Sequence, residues 1–296
     1  MANSIAPVIK YLTAIAEKVY GHESISAILD TQNVEYTGNL ANSKTIKVPR
    51  MEVSGLADYS KTNGYSQGDV TLTWVDYTLT KDRGRKFVID AVDDIDAAGK
   101  SLAMLQGTFL RKSVVPEIDA YRFAQYASGA ASENKLTAAL DKDTIIPALD
   151  VAMEKLFEAG VPEENVVLFI SPSCYTALKN ASDKLRWSQG TVLNRNVLMF
   201  DEHPIIKVPS TRFYDSITLG SDGYSKKAST GKDINFLLMD KDAVIQCAKH
   251  NPSNLISPDA NQTSDGWIYK YRIYHDALVQ DGKSVGIYAH TKPLAG

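Results

Sequence analysis

The chain has 296 residues, 44% of them hydrophobic and 23% charged, with a formal net charge of −3. That balance describes an ordinary folded chain with room for two subdomains. It excludes a protein whose own surface neutralises phosphates, because such a surface carries a strong basic excess. The two cysteines, Cys174 and Cys247, are far apart and lack CxxC spacing, so they read as reduced cytosolic thiols rather than a disulfide framework. The first 20 residues carry Lys10, Glu17 and Lys18. No signal peptide is expected there, and no apolar run approaches the ~20 residues of a membrane span.

Ile5, Val8, Leu12, Ile15 and Val19 recur at helical spacing, and Gly21 is a plausible stop. Residues 22–44 offer only Ile25, Ile28 and Leu29 as anchors. A short strand is expected over 45–48, a polar excursion with Gly55, Gly64 and Gly68 over 54–68, and a return strand over 69–80. The return strand changes phase. Val70, Leu72 and Trp74 alternate on one face, then Val75, Tyr77 and Leu79 on the other. A strand buried on one face does not swap faces, so a bulge, twist or bend is expected between Trp74 and Val75.

A basic knot follows, Lys81-Asp82-Arg83-Gly84-Arg85-Lys86. In an extended segment Lys81, Arg83 and Arg85 share one face, with Asp82 and Lys86 on the other. A helix is expected over 96–128, with Leu102, Leu105 and Phe109 and later Ile118, Tyr121 and Tyr126 as its apolar positions. Pro116 lies inside it. A proline in a helix interior costs ~3 kcal/mol, so the helix either kinks at Pro116 or is two segments meeting around Ser113. Gly129 ends the run.

Residues 144–159 form a cleaner amphipathic helix, with a stripe of Ile146, Leu149, Met153, Leu156 and Phe157 and a stop at Gly160. Residues 166–170 are wholly apolar, the pattern of a buried strand. Ser171 and Pro172 then start a helix as N-cap and first residue. Strands are expected over 205–208, 234–239 and 243–247, which suggests an α/β subdomain over 131–245. Residues 251–265 read as a polar loop, 267–279 as a long strand, and 285–289 as a last strand.

Chemistry is sparse. Asp93, Asp94 and Asp96 lack the glycine and terminal glutamate of an EF-hand and read as an acidic helix start, which favours the helix dipole. Cys174 sits near a helix N-terminus, a place that can lower a thiol pKa. His22, His203, His250, His275 and His290 are scattered. There is no Walker A sequence, GxGxxG, GxSxG or HExxH. No catalytic, cofactor-binding or metal-ligating residue is assigned.

The stronger signal is the order of segments: Ile46-Lys47-Val48-Pro49, then Val53-Ser54-Gly55-Leu56-Ala57-Asp58-Tyr59, then Tyr77 through Phe87, then Val114 through Arg122. This order resembles the major capsid proteins of tailed bacteriophages, the Hong Kong 97-type fold, most specifically in the first half. The resemblance implies an α+β chain. Its parts would be an N-terminal arm (1–44), an extended hairpin or E-loop (45–86), a peripheral domain with a long spine helix (87–130 and 246–283), and an axial α/β domain (131–245 and 284–296).

The implied function is structural, a capsid subunit and no enzyme. Identical chains would form the hexamers and pentamers of an icosahedral shell that encloses double-stranded DNA without sequence-specific binding. The shell would assemble in the bacterial host cytoplasm and end in the virion, with scaffold, portal and decoration proteins as its further partners. No cofactor, metal or membrane is implied. Tyr59, Lys61, Trp74, Lys81, Arg83 and Arg85 are the expected inter-subunit contacts, and Pro116 the helix kink. Some such shells join a tip lysine to an asparagine, and Asn251, Asn254 and Asn261 lie in the loop that could face Lys61. That loop has no glutamate to take the proton, so Lys61 reads as a solvated tip residue. Nor does the N-terminal region resemble the scaffolding segment that some of these shells carry. Two other readings stand beside this one: an encapsulin-type compartment of the same fold, and a cytosolic α/β enzyme using Cys174 with a histidine.

Overall fold

The computed structural model describes residues 24–30, 45–62, 64–90, 100–181, 186–192, 195–250 and 253–294. The expected 5–19 helix and the acidic cluster at 93–96 lie outside them. In chain order, a 3-10 turn (Ser26–Leu29) precedes strands β1 (Thr45–Val53), β2 (Val70–Thr78) and β3 (Lys81–Asp90). Helix α1 (Lys100–Phe109) continues through a π-turn (Leu110–Val114) into α2 (Val115–Gly129). Then come β4 (Lys135–Thr137), α3 (Ile145–Glu158), β5 (Val166–Ile170) and α4 (Pro172–Ala181). Strands β6 (Arg186–Val192), β7 (Arg195–Phe200), β8 (His203–Lys207), β9 (Ile217–Gly220) and β10 (Gly223–Lys226) follow. The chain closes with β11 (Ile234–Asp240), β12 (Val244–His250), β13 (Ser253–Ile256), β14 (Gly266–Val279) and β15 (Ile287–Thr291).

Two sheets organise the body. A seven-stranded mixed sheet has the order β4-β15-β11-β5-β8-β7-β6. Its central strands are apolar throughout because both faces are covered. Val166, Leu168 and Ile170 of β5 pack on Ile145, Leu149 and Leu156 of α3 and Leu178 of α4. Val167 and Phe169 point the other way, to Tyr121, Phe123 and Tyr126 of α2. The second sheet has four strands, with β14 at its centre pairing with β12, β13 and β3. Its inner face, Tyr269, Tyr271 and Ile273, packs on Leu110, Val114 and Ile118 of the long helix. That helix therefore lies between the sheets and belongs to both cores. The knot at 81–86 is extended, as read from the sequence, and lies in β3. One expectation changes here: the loop expected over 251–265 contains β13.

The helix is continuous across Pro116, so it does not divide at Ser113. The Val115 amide reaches the Leu110 carbonyl five residues back, an i→i+5 bond that widens the backbone. The wide turn contains Lys112, whose carbonyl the proline ring would otherwise crowd. The π-turn thus absorbs the proline without ending the helix.

Residues 24–30 are tied to this helix by a buried carboxylate. Asp119, fully buried, accepts from the Ser24 hydroxyl at 2.8 Å, the Ser26 hydroxyl at 2.7 Å, the Ile25 amide at 3.1 Å and Arg212 Nη1 at 3.1 Å. One turn on, Arg122 donates to Ser26 Oγ at 2.9 Å and pairs with Asp30 at 3.2 Å. Leu29 is buried, and Ile25 and Ile28 pack on the same core, the three anchors expected from the sequence. Removing one partner of a buried ion pair leaves the other charge uncompensated, at a cost of about 3–5 kcal/mol. Asp119→Ala is therefore expected to lower unfolding free energy in urea by about 3 kcal/mol and to open residues 24–30 to protease. Unchanged urea stability would refute this latch.

Two buried histidines set an acid limit. Burial holds His275 down at about 4, helped by the Arg122 charge, and burial holds His290 at about 4. Both are neutral in the fold and titrate near 6.5 when unfolded. Between those values the unfolded chain binds more protons, so stability is present above 6.5 and declines as pH falls toward 4. The decline is on the order of 1 kcal/mol per pH unit for each histidine. Urea unfolding at pH 7, 6 and 5 should show this slope, and His275→Gln should reduce it. An equal slope in that variant would remove His275 as a cause.

Candidate assembly surfaces

Strands β1 and β2 form a two-stranded ribbon paired from Thr45↔Thr78 to Val53↔Val70 without a register shift. Of the bulge, twist or bend expected from the phase change, this unbroken register excludes the bulge. Opposite residues in an antiparallel pair share a face, and the two faces change character along the ribbon. At the base, Ile46, Val48 and Leu79 are buried against Ile245 and Cys247 of β12, with Tyr77 and Tyr274 packed alongside. Further out, the opposite face carries Met51, Val53, Val70, Leu72 and Trp74, all between 51% and 67% exposed. The alternation shifts because the core lies under one face only near the base. The apolar positions beyond that point lie on the other face, which none of the described residues covers.

The tip turns through a Ser60–Gly64 bridge, with Gly64 at φ +77°, a conformation that favours glycine. Tyr59 and Tyr65 meet edge to face at 5.0 Å, both largely exposed. Lys61 is exposed at the turn.

The base is pinned by Asp276 of β14, itself buried. It accepts from the Thr80 amide at 2.8 Å, the Thr80 hydroxyl at 2.9 Å and the Tyr121 hydroxyl at 2.6 Å. Burial and this carboxylate push the Tyr121 phenol up.

Strand period sorts the basic knot as expected. Lys81, Arg83 and Arg85 alternate with Asp82, Gly84 and Lys86 along β3. The first set finds its partners within the chain. Arg83 Nε donates to Glu117 at 2.6 Å, and its Nη2 reaches Glu117 at 3.2 Å and the Gly220 carbonyl at 2.8 Å. Glu117 raises the Arg83 pKa through this bond. Arg85 donates to the Ser221 carbonyl at 2.7 Å and to Asp222 at 2.9 Å. Lys81 lies 5.5 Å from the centre of the Tyr121 ring. Two arginines of the four-stranded sheet thus hold the turn of the β9–β10 hairpin. Within the chain the two arginines form a clamp between β3, the long helix and the β9–β10 turn.

Asn261, one of the asparagines expected to face Lys61, bonds Thr263, Ser264 and the Gly266 carbonyl within its own loop. Asn254 is exposed on β13, and residue 251 lies outside the described residues.

The residues expected for an enzyme are sealed. Cys174, Asn235 and His290 form a buried trio. The thiol donates to Asn235 Oδ1 at 3.4 Å, and Asn235 Nδ2 lies 3.1 Å from His290 Nδ1. Burial raises the Cys174 pKa and lowers that of His290. A thiolate nucleophile with an imidazolium partner requires the reverse on both groups. Burial also pushes Cys247 up to about 12. Among the described residues no cluster of three or more His, Cys, Asp or Glu could hold a metal ion, and no helix is long and apolar enough to cross a membrane.

Glu117, Asp119, Asp222 and Asp276 were not among the residues singled out from the sequence. Asp119 and Arg122 had a readable signal, since they are charges on a helix whose neighbours Ile118, Ala120, Tyr121 and Phe123 are apolar. Glu117 and Asp222 had none.

The Arg83 side chain is 29% exposed and that of Glu117 14%, against 46% and 88% for Arg85 and Asp222. Arg83→Glu is therefore expected to destabilise the isolated subunit by about 2 kcal/mol, and Arg85→Glu by no more than ~0.5 kcal/mol. Chemical unfolding of the two single variants separates them. Equal stability of both would show that the Glu117 pair contributes nothing.

No family model and no curated protein matches the chain. Solved structures do. The capsid structure of the Cyanophage P-SCSP1u is 15% identical, with 86% of this chain and 85% of that one covered at a TM-score of 0.60. The mature capsid of bacteriophage PhiM1 is 12% identical, with 86% and 83% covered at 0.61. A virus-like particle from Pyrococcus furiosus is 12% identical, with 96% and 99% covered at 0.53. These structures agree with the observed architecture, a mixed chain of many strands and few helices. The chain has the α+β fold of phage capsid subunits, the fold expected of a tailed-phage major capsid protein.

Proposed function

We propose that this chain is the major subunit of an icosahedral phage shell that encloses double-stranded DNA, formed in the bacterial host and retained in the virion. Its mechanism is assembly rather than catalysis. The observation that carries this reading is the outer face of the ribbon. Met51, Val53, Val70, Leu72 and Trp74 form a continuous apolar surface on a two-stranded sheet, and none of the described residues covers it. A two-stranded hairpin is marginal in water, and a contiguous exposed apolar patch marks an interaction site. Covering each such side chain contributes roughly 1.5–3 kcal/mol at full burial. Trp74, Tyr59 and Lys61 are assigned to contacts with a neighbouring copy. Lys81, Arg83 and Arg85 are assigned to holding the ribbon base and the β9–β10 turn in a fixed relation, so that the ribbon leaves each subunit at one angle.

An encapsulin-type compartment is the second reading, supported by the likeness to the Pyrococcus furiosus particle over 99% of that chain. It would share the same assembly surfaces and differ in what it encloses.

The purified chain is expected to form closed particles or capsomers. Light scattering and electron microscopy should show them, with DNA-sized shells on the first reading and small cargo-filled shells on the second. Trp74→Glu with Leu72→Glu should leave the melting temperature within about 2 °C, since both residues are exposed, and should abolish particles. A wild-type chain that stays monomeric across salt and concentration would refute the reading.

A further inference from the structure

We infer that the cavity beside the π-turn binds a small aromatic carboxylate, with its ring among Phe87, Phe109 and Tyr271, its carboxylate on Lys112, and a hydroxyl at its inner end on His275. The site belongs to the single subunit, so it goes beyond the shell reading and does not depend on it.

The cavity has a volume of about 490 Å³, within the range of small-molecule sites. It lies where the long helix passes β3 and β14, and the β9–β10 turn closes one side. Its lining is graded. Ile118, Tyr271, Ile273 and His275 are buried and form the inner end. Arg85, Thr108, Lys112, Ser113 and Asp222 are exposed and form the mouth. Along the walls the Phe109 ring stands edge to face against Phe87 at 4.9 Å and against Tyr271 at 5.8 Å. Three rings set at such angles offer both faces and edges to a fourth flat ring.

Two groups of the lining are unsatisfied by the subunit itself. His275 is 2% exposed, and its Nδ1 has no hydrogen-bond partner among the described residues. A buried polar atom left without a partner is costly, and a bound group that supplies one removes the cost. Burial keeps this imidazole neutral, so it offers a hydrogen bond and no charge. At the mouth, Lys112 pairs with no carboxylate among the described residues. Both acids of the lining are committed elsewhere, Glu117 to Arg83 at 2.6 Å and Asp222 to Arg85 at 2.9 Å. An aromatic-walled cavity with one uncompensated cation at its mouth and one unmet neutral polar atom at its inner end selects an anion with an apolar body. A bare phosphate satisfies Lys112 but leaves the walls and His275 unmet. The cation is presented by the π-turn, which contains Lys112, Ser113 and Val114, and wide turns of this kind recur at functional sites.

The test is calorimetric titration of the full chain with 3-(4-hydroxyphenyl)propionate near neutral pH. A Kd of about 1 mM or tighter is expected for a ligand of this size. The amide 3-(4-hydroxyphenyl)propionamide lacks the charge, and 3-phenylpropionate lacks the hydroxyl. Each should bind about fivefold or more weakly. Lys112→Gln should keep the wild-type melting temperature, since the residue is exposed, and should bind acid and amide alike. Ser113→Trp fills the mouth and should abolish binding of all three compounds. Thr108→Trp, also at the mouth, replaces it should that variant melt early. The absence of saturable binding by the hydroxy acid overturns the inference. So does equal affinity for acid and amide, or for the acids with and without the hydroxyl. Those comparisons use the wild-type chain and need no variant to fold. Binding that survives the tryptophan lies elsewhere on the molecule and is equally fatal. None of these outcomes bears on whether shells form.

Discussion

A two-stranded ribbon has no layer of its own beneath it, and that constraint shapes the rest of the molecule. Each face of β1 and β2 must be covered by something else or remain wet. Near the base the cover is β12, through Ile245 and Cys247. Past Val48 and Val75 none of the described residues covers the ribbon. The strands nevertheless keep their register to Val53 and Val70, so the outer half is stiffened by backbone pairing and by side-chain bonds across it, such as those of Ser54 to Asp69. Such an element has a definite shape and an unsatisfied surface, and it can point only where its base directs it.

The base is accordingly the most heavily tied region. Asp276 gathers Thr80 from the end of the ribbon and Tyr121 from the long helix onto β14. Three residues along β3, Arg83 reaches both Glu117 of that helix and the turn of the β9–β10 hairpin. The helix also faces the seven-stranded sheet through Phe123 and Tyr126. Ribbon, helix and both sheets are thereby one mechanical unit. The same helix receives residues 24–30 through Asp119, which extends the unit toward the N-terminal region.

Much of this architecture was legible in the sequence where a single local rule governs. The all-apolar β5, the Ser171 and Pro172 start of α4, the Gly160 stop and the long alternating β14 each follow from a pattern a few residues wide. The misreadings came from rules that depend on partners. The phase change in β2 looks like a bulge when one buried face is assumed, and is instead a regular strand whose covered face ends partway. Pro116 reads equally as a kink or a break, and the break is excluded by a π-turn that places the Val115 amide on Leu110 and carries the helix on. For the knot at 81–86 the two faces were readable from period two. Which face meets its own chain was not, because Glu117 and Asp222 lie 34 and 137 residues away and nothing local marks them.

That division of β3 has a physical consequence for assembly. One strand carries two sets of cations in opposite settings. Arg83 sits in a half-buried pair where its loss is costly, so its charge is committed before any neighbour arrives. Lys86 sits on the wet face, where an ion pair contributes at most ~1 kcal/mol. A contact that weak cannot hold two subunits, and for a shell this is useful. Subunits joined by single weak contacts separate and try again, whereas those joined by several at once stay, since each added contact acts at high effective concentration. Strong terms inside the subunit and weak terms between subunits together allow a rigid part to find its place reversibly. On the proposed shell reading, a misplaced copy that lacks one of several weak contacts is released before the shell closes around it.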